Sequence, residues 1–331
     1  MAAPVAQRGR NNLRALVTIL CTYGVVTISQ VNIASIYLPV SITFNEQIVG
    51  LGVLTSAFFI GYGVVELPGG VAGARFGAKT LANLGLFITL LSLIACAFAP
   101  SFEWLIALRF AVGVGFGLFF PSGLVLAIRQ IAEASSGLAA GSTTAAFSIG
   151  GAAGVFGWSV LSAVYGWRAS LLIQAAIVLA AVVAFVLWVP SDRSSSAPSL
   201  SSSAFRRALT NRKLLVVSAL LFGSGATSIL SGNFLVYYLE KSFGVQPGYA
   251  GFIAALSYAV VLVTALVGGR AFDKGGNPKL IVLISVLVLA FGTAIIAVHS
   301  VLLVLVGSLL CGLAIGPISV VAIVTARRTA S

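Results

Sequence analysis

Arg109 stands inside the apolar run LRFAVGVGFG at residues 108–117, and a guanidinium in such a place needs a partner or a wet cavity. On insertion scales a charge at the bilayer centre costs about 2.5–3.5 kcal/mol. Gly113 and Gly117 follow one and two helical turns later on the same face, leaving a groove beside the charge. The groove has room for an anionic solute or for a neighbouring helix, and bonding to first-span carbonyls is the scaffold alternative. Glu66, in GYGVVELPGG at residues 61–70, is the acidic residue that falls well inside a span. A carboxyl group there is a candidate proton carrier; beside Pro68 it can equally bond backbone groups that the proline frees. Gln30, Asn32 and Tyr37 on the first span and Asn233, Tyr237 and Tyr238 on the seventh occupy nearly corresponding places. Their donors and acceptors suit a substrate-binding site at the midplane, with interhelical bonding as the alternative. Gln174 is assigned to packing.

These residues act together only if a membrane architecture positions them. Of 331 residues, 59% are hydrophobic and 8% charged, with a mean hydropathy of +1.11, so lipid must be the solvent for most of the surface. A bilayer core of roughly 30 Å takes about 20 helical residues. Ten runs reach that length: 14–40, 49–73, 79–99, 103–129, 136–163, 169–189, 214–239, 248–268, 279–298 and 300–326. The predicted class is an all-α polytopic membrane protein. It reads as a cytoplasmic tail (1–13), an N-terminal six-helix bundle (14–189), a serine-rich basic linker (190–213) and a C-terminal half with four helices (214–331). With the N-terminus inside, sixteen Lys and Arg residues face the cytoplasm, Arg168 and Lys241 lie outside, and Arg109 is within a span. That bias supports the helix count and puts both termini on the cytoplasmic side of the cell membrane. The pI of about 10.2 therefore reflects topology, and no nucleic-acid partner is expected. Cys21, Cys96 and Cys311 all lie in apolar runs, which points to small hydrophobic packing residues and no disulfide or metal.

The same unit occurs twice. GVAGARFGAK at 70–79 is echoed by GRAFDKGGNPK at 269–279, with Gly70, Arg75 and Gly77 answered by Gly269, Lys274 and Gly276 at an offset of 199 residues. In each copy the apolar run is expected to end at the first glycine. Asp273 is the acid of the second copy, and Ala74 holds its place in the first. The offset also carries Gly113 onto Gly312, Gly117 onto Gly316 and Arg109 onto Ser308, so a duplicated architecture is predicted.

The glycine-acidic-basic-glycine loop GRAFDKGG resembles the signature of the major facilitator superfamily. Further matches follow in that family's order. Arg109, Gly113, Gly115 and Gly117 resemble its fourth span, Gly141, Gly150 and Gly154 its fifth-span spacing, and GWR at 166–168 the turn before its sixth. The resemblance implies two helical halves that rock around a central site to give alternating access, with the two signature loops as the conformational motif. The family has twelve spans, whereas Ser331 follows directly on the tenth here; the last two transmembrane helices of the pattern are not in this sequence.

The expected function is secondary active transport of a small solute, with a mild preference for an anion that rests on Arg109. One alternative is a truncated or non-transporting relative that acts as a partner, with itself or another membrane protein covering the place of the missing helices. Drug and proton efflux is a further alternative, weakened because Val155 stands where the antiporter motif has proline. GARFGAKT at 73–80 is not a P-loop, since Ala78 separates Gly77 from Lys79 and no strand precedes it. No acid, base and nucleophile converge, so no enzyme is expected, and no cofactor ligand set is visible.

Overall fold

In hydrocarbon every backbone N–H and C=O must be bonded within its own segment, which leaves helices as the economical way to cross. The computed structural model describes residues 5–130, 136–191, 210–273 and 277–330. All of its regular elements are helical, and ten helices among the described residues are long and apolar enough to span a bilayer. Large side chains such as Ile42, Val49, Leu91, Phe222 and Leu302 are exposed on them, as befits surfaces solvated by lipid.

The chain forms two compact units, Met1–Ala197 and Pro198–Ser331. In the first, the opening span is made of α1 (Val5–Val31), a 3-10 turn (Asn32–Ile36) and α2 (Tyr37–Phe44). One continuous helix over 14–40 was the expectation. The break has a local cause: Pro39 lacks the N–H that would bond the Ser35 carbonyl, and its ring crowds that carbonyl. The remaining spans are α3 (Ile48–Phe76), α4 (Ala78–Ala97), α5 (Phe102–Gln130), α6 (Ser136–Tyr165) and α7 (Trp167–Trp188).

Helix α5 is packed between α3 and α4, while α1 rests on α6 and α7. Glycines permit these approaches. A Cβ on Gly113 would stand 2.0 Å from the Phe58 carbonyl oxygen of α3, and one on Gly115 2.6 Å from that of Gly85 on α4. The groove foreseen beside Arg109 is therefore filled by α3. Nearby, Phe116 stacks on Phe120 and Tyr62 meets both edge-on, with ring centroids 5.2–6.4 Å apart.

The second unit contains α8 (Arg212–Phe243), α9 (Pro247–Asp273), α10 (Pro278–Ile296) and α11 (Val301–Ala330). Helix α11 contacts the other three, around a core of Leu289, Cys311, Ala314, Ile315 and Ile318. The duplication is visible in its contacts: a Cβ on Gly312 would stand 2.7 Å from the Ser257 carbonyl oxygen, and Phe58 and Ser257 are themselves related by the 199-residue offset.

Two boundaries differ from expectation at the signature sequences. Helix α3 continues through Gly70 and Arg75 to Phe76. Only Gly77 breaks it, with φ +94°, a conformation that glycine adopts without steric cost; its N–H closes the helix on the Gly73 carbonyl at 2.9 Å. Likewise α9 continues through Gly269 to Asp273. The rest of that motif, Lys274 and Gly276, lies outside the described residues.

Candidate functional site

Four carbonyls at a helix C-terminus lack intrahelical donors and carry the negative end of the helix dipole. The end of α1 has this problem inside the bundle, where it gives way to the 3-10 turn. Arg109 solves it from α5: Nη1 donates to the Ser29 carbonyl at 3.0 Å and Nη2 to the Gln30 carbonyl at 3.3 Å. The side chain is 2% exposed and lies over the Phe58 ring, 5.0 Å from its centroid. Among the described residues the guanidinium thus meets two carbonyls and a ring, none with a full negative charge, and its Nε makes no hydrogen bond.

Ser29 is gripped twice. Gln174 on α7 donates through Nε2 to the Ser29 hydroxyl and to the Val25 carbonyl, both at 3.0 Å, and its Oε1 is left buried and unbonded. One turn beyond, Asn32 is 0% exposed, and neither its Oδ1 nor its Nδ2 has a hydrogen-bond partner among the described residues. A further turn on, the Ser35 hydroxyl donates to the Val155 carbonyl of α6 at 2.9 Å. Ser29, in the last turn of α1, and Asn32 and Ser35, in the 3-10 turn, are spaced by three residues, which keeps them on one side of the span. Their outer members are bonded to α7 and α6; the carboxamide between them is vacant.

The other predicted site residues fall in different settings. Tyr37 is buried with its hydroxyl bonded to that of Thr55. Glu66 is exposed and accepts a bond from Tyr62 on its own helix at 2.8 Å, so it is neither deep in the unit nor tied to backbone freed by Pro68. Arg75 is exposed in the last turn of α3. Asn233 and Tyr237 are buried in the second unit.

Three residues had been missed or set aside. Gln174 was assigned to packing, yet it is a polar tie with a spare acceptor. Lys79 caps α7 from outside, donating to the Val186 and Val189 carbonyls at 3.0 and 2.5 Å. Glu240 had been placed beyond the seventh span; α8 runs four residues further, to Phe243, and Glu240 is buried within it. No sequence signal separates Glu240 from an interfacial acid, because its burial comes from tertiary packing.

The family model for the Major Facilitator Superfamily matches residues 15–331. The chain belongs to that superfamily. Several of its curated relatives are transporters. Over 142 residues it is 30% identical to the 4-hydroxybenzoate transporter PcaK of Pseudomonas aeruginosa, covering 43% of this chain and 32% of that one. It is 31% identical over 142 residues to the methylenomycin A resistance protein of Bacillus subtilis, covering 43% and 30%. These matches span about a third of each relative's length. A longer one, 27% identical over 334 residues and covering 88% of this chain and 74% of the other, is to an Agrobacterium vitis protein named as a tartrate transporter. Among solved structures, a bacterial homologue of the human lysosomal transporter Spinster, inward-facing and unoccupied, superposes with a TM-score of 0.75 at 17% identity, covering 98% of this chain and 76% of that one. The fold is that of the Major Facilitator Superfamily, in an integral membrane protein.

Proposed function

We propose that the chain is a secondary transporter that moves a small organic anion by alternating access, with transport and not catalysis as its activity. The observation that carries this reading is Asn32, a fully buried carboxamide with both polar atoms unbonded. A buried polar group without partners costs about 1–3 kcal/mol, and an occupant with a donor and an acceptor would remove that cost. The cationic neighbourhood selects its sign: the Arg109 charge meets carbonyl dipoles and the Phe58 ring but no carboxylate among the described residues, and its Nε is a spare donor. The names of two relatives, which specify 4-hydroxybenzoate and tartrate, support a carboxylate. Asn233 and Tyr237 are the proposed solute-binding residues of the second unit. The signature sequences, around Gly70, Arg75 and Gly77 and again at Gly269, Asp273, Lys274 and Gly276, supply the conformational motif. Both termini face the cytoplasm of the cell membrane in this reading.

The test is uptake of labelled 4-hydroxybenzoate and tartrate into proteoliposomes. Wild type takes up at least one of them, and Asn32→Leu, which keeps the heavy-atom branching and removes the polar atoms, takes up neither. Equal uptake by the variant would overturn the assignment of Asn32.

A further inference from the structure

Among the described residues, Glu240 is a buried acid with an unbonded carboxyl oxygen. It lies one turn from the C-terminal end of α8, is 9% exposed, and its Oε1 is buried without a hydrogen-bond partner among the described residues. Acids inside spans ordinarily pair with another group or mark a proton or substrate path, since an unpaired carboxylate away from water is costly.

The surroundings of this end of α8 narrow the choice of ligand. On α8 itself, Tyr237 precedes Glu240 by one turn and Lys241 is exposed. Of the two elements packed on α8, α9 begins at Pro247, just after α8 ends, with Tyr249 exposed near its start and Tyr258 buried further along. Arg270 and Asp273 are at the opposite end of α9, about 35–40 Å along its axis at 1.5 Å per residue. Helix α11 starts at Val301 and presents no titratable residue before Cys311. His299, in the turn before it, stacks on Phe243 at 4.4 Å. A metal cation needs several oxygen ligands around it, and among the described residues no three His, Cys, Asp or Glu side chains gather. A proton needs one carboxyl oxygen only.

From this placement we infer that Glu240 is the coupling site for protons, taking up one proton from one aqueous side and releasing it to the other as solute moves. The inference rests on the transporter reading and transfers the coupling role from the exposed Glu66 to a buried acid. No redox partner is involved; one O–H bond forms on the carboxylate and the same bond breaks on release.

Two readouts test it separately from the transporter reading. The first is an infrared pH titration of the intact protein in lipid, following the C=O stretch of protonated carboxylic acid. All seven Asp and Glu residues contribute to this band when protonated; wild type and Glu66→Gln share a titrating component of it that Glu240→Gln lacks, and a Glu240→Gln titration indistinguishable from wild type overturns the proposal. The second is uptake of 4-hydroxybenzoate and tartrate with and without an inward proton gradient. The gradient accelerates wild-type uptake and leaves Glu240→Gln uptake unchanged. Acceleration of equal size in the variant overturns the coupling role. If wild type carries neither acid, the carboxylate-transport reading fails, and the infrared titration still decides whether Glu240 binds the proton.

Discussion

The first span of each unit faces the same packing problem and solves it differently. In the first unit α1 ends inside the bundle, passes through the 3-10 turn Asn32–Ile36 and resumes as α2, with Arg109 bonded to the carbonyls at the break. In the second, α8 is a continuous helix of 32 residues with no internal proline. Ser308, at the repeat position of Arg109, turns its hydroxyl back to the Leu305 carbonyl of its own helix at 2.8 Å. An arginine is present where backbone acceptors have been released, and a serine suffices where they have not. The glycine positions below them serve the same purpose in both units, bringing α5 onto α3 and α11 onto α9. The duplicated glycines therefore build the scaffold, and Arg109, which is not duplicated, bonds the break that the first unit has and α8 lacks.

Four substitutions test this difference between the units. Arg109→Ser, which copies the second unit's residue into the first, has the largest expected effect. It leaves the Ser29 and Gln30 carbonyls without donors, at about 1–3 kcal/mol for each, and thermal unfolding in detergent should show a correspondingly large loss. A variant as stable as wild type would mean that the bonds to the break do not hold the bundle.

The glycine pair comes next. A Cβ at Gly113 would stand 2.0 Å from a backbone oxygen, against 2.7 Å at Gly312. Gly113→Ala should destabilise by about 1–3 kcal/mol, the usual range for overpacking, and Gly312→Ala by less in the same unfolding experiment. A reversed order would show that the two helix contacts are not equivalent. The smallest effect belongs to Ser308→Ala. It removes a local bond only, and its change should stay within about 0.5 kcal/mol; a loss comparable to that of Arg109→Ser would break the comparison.

Much of this architecture was legible in the residues. Apolar length and the positions of Lys and Arg gave ten spans, and the 199-residue offset between Gly113 and Gly312 anticipated a shared contact. The two glycines also marked a groove, but spacing cannot tell an empty groove from one filled by a neighbour, and α3 fills it. The helix break was less legible. Pro39 permits it, but the donor that meets the Ser29 and Gln30 carbonyls just before it is Arg109, 70 or more residues away in sequence. Glu66 and Glu240 show the same limit: the first lies inside the second apolar run and the other just past the seventh, yet packing leaves the first exposed and the second buried. Gln174 looked like a packing residue because its ties to Val25 and Ser29 cross from α7 to α1.

The central claim is that the first unit keeps a buried carboxamide vacant at the expense of stability, so that a solute can occupy it. Thermal unfolding of purified Asn32→Leu against wild type, without added solute, tests this most directly. The account predicts that the variant unfolds at higher temperature, because two unbonded polar atoms are replaced by apolar ones of the same shape. A variant that unfolds at lower temperature would show that Asn32 is a structural contact, and the claim would be wrong.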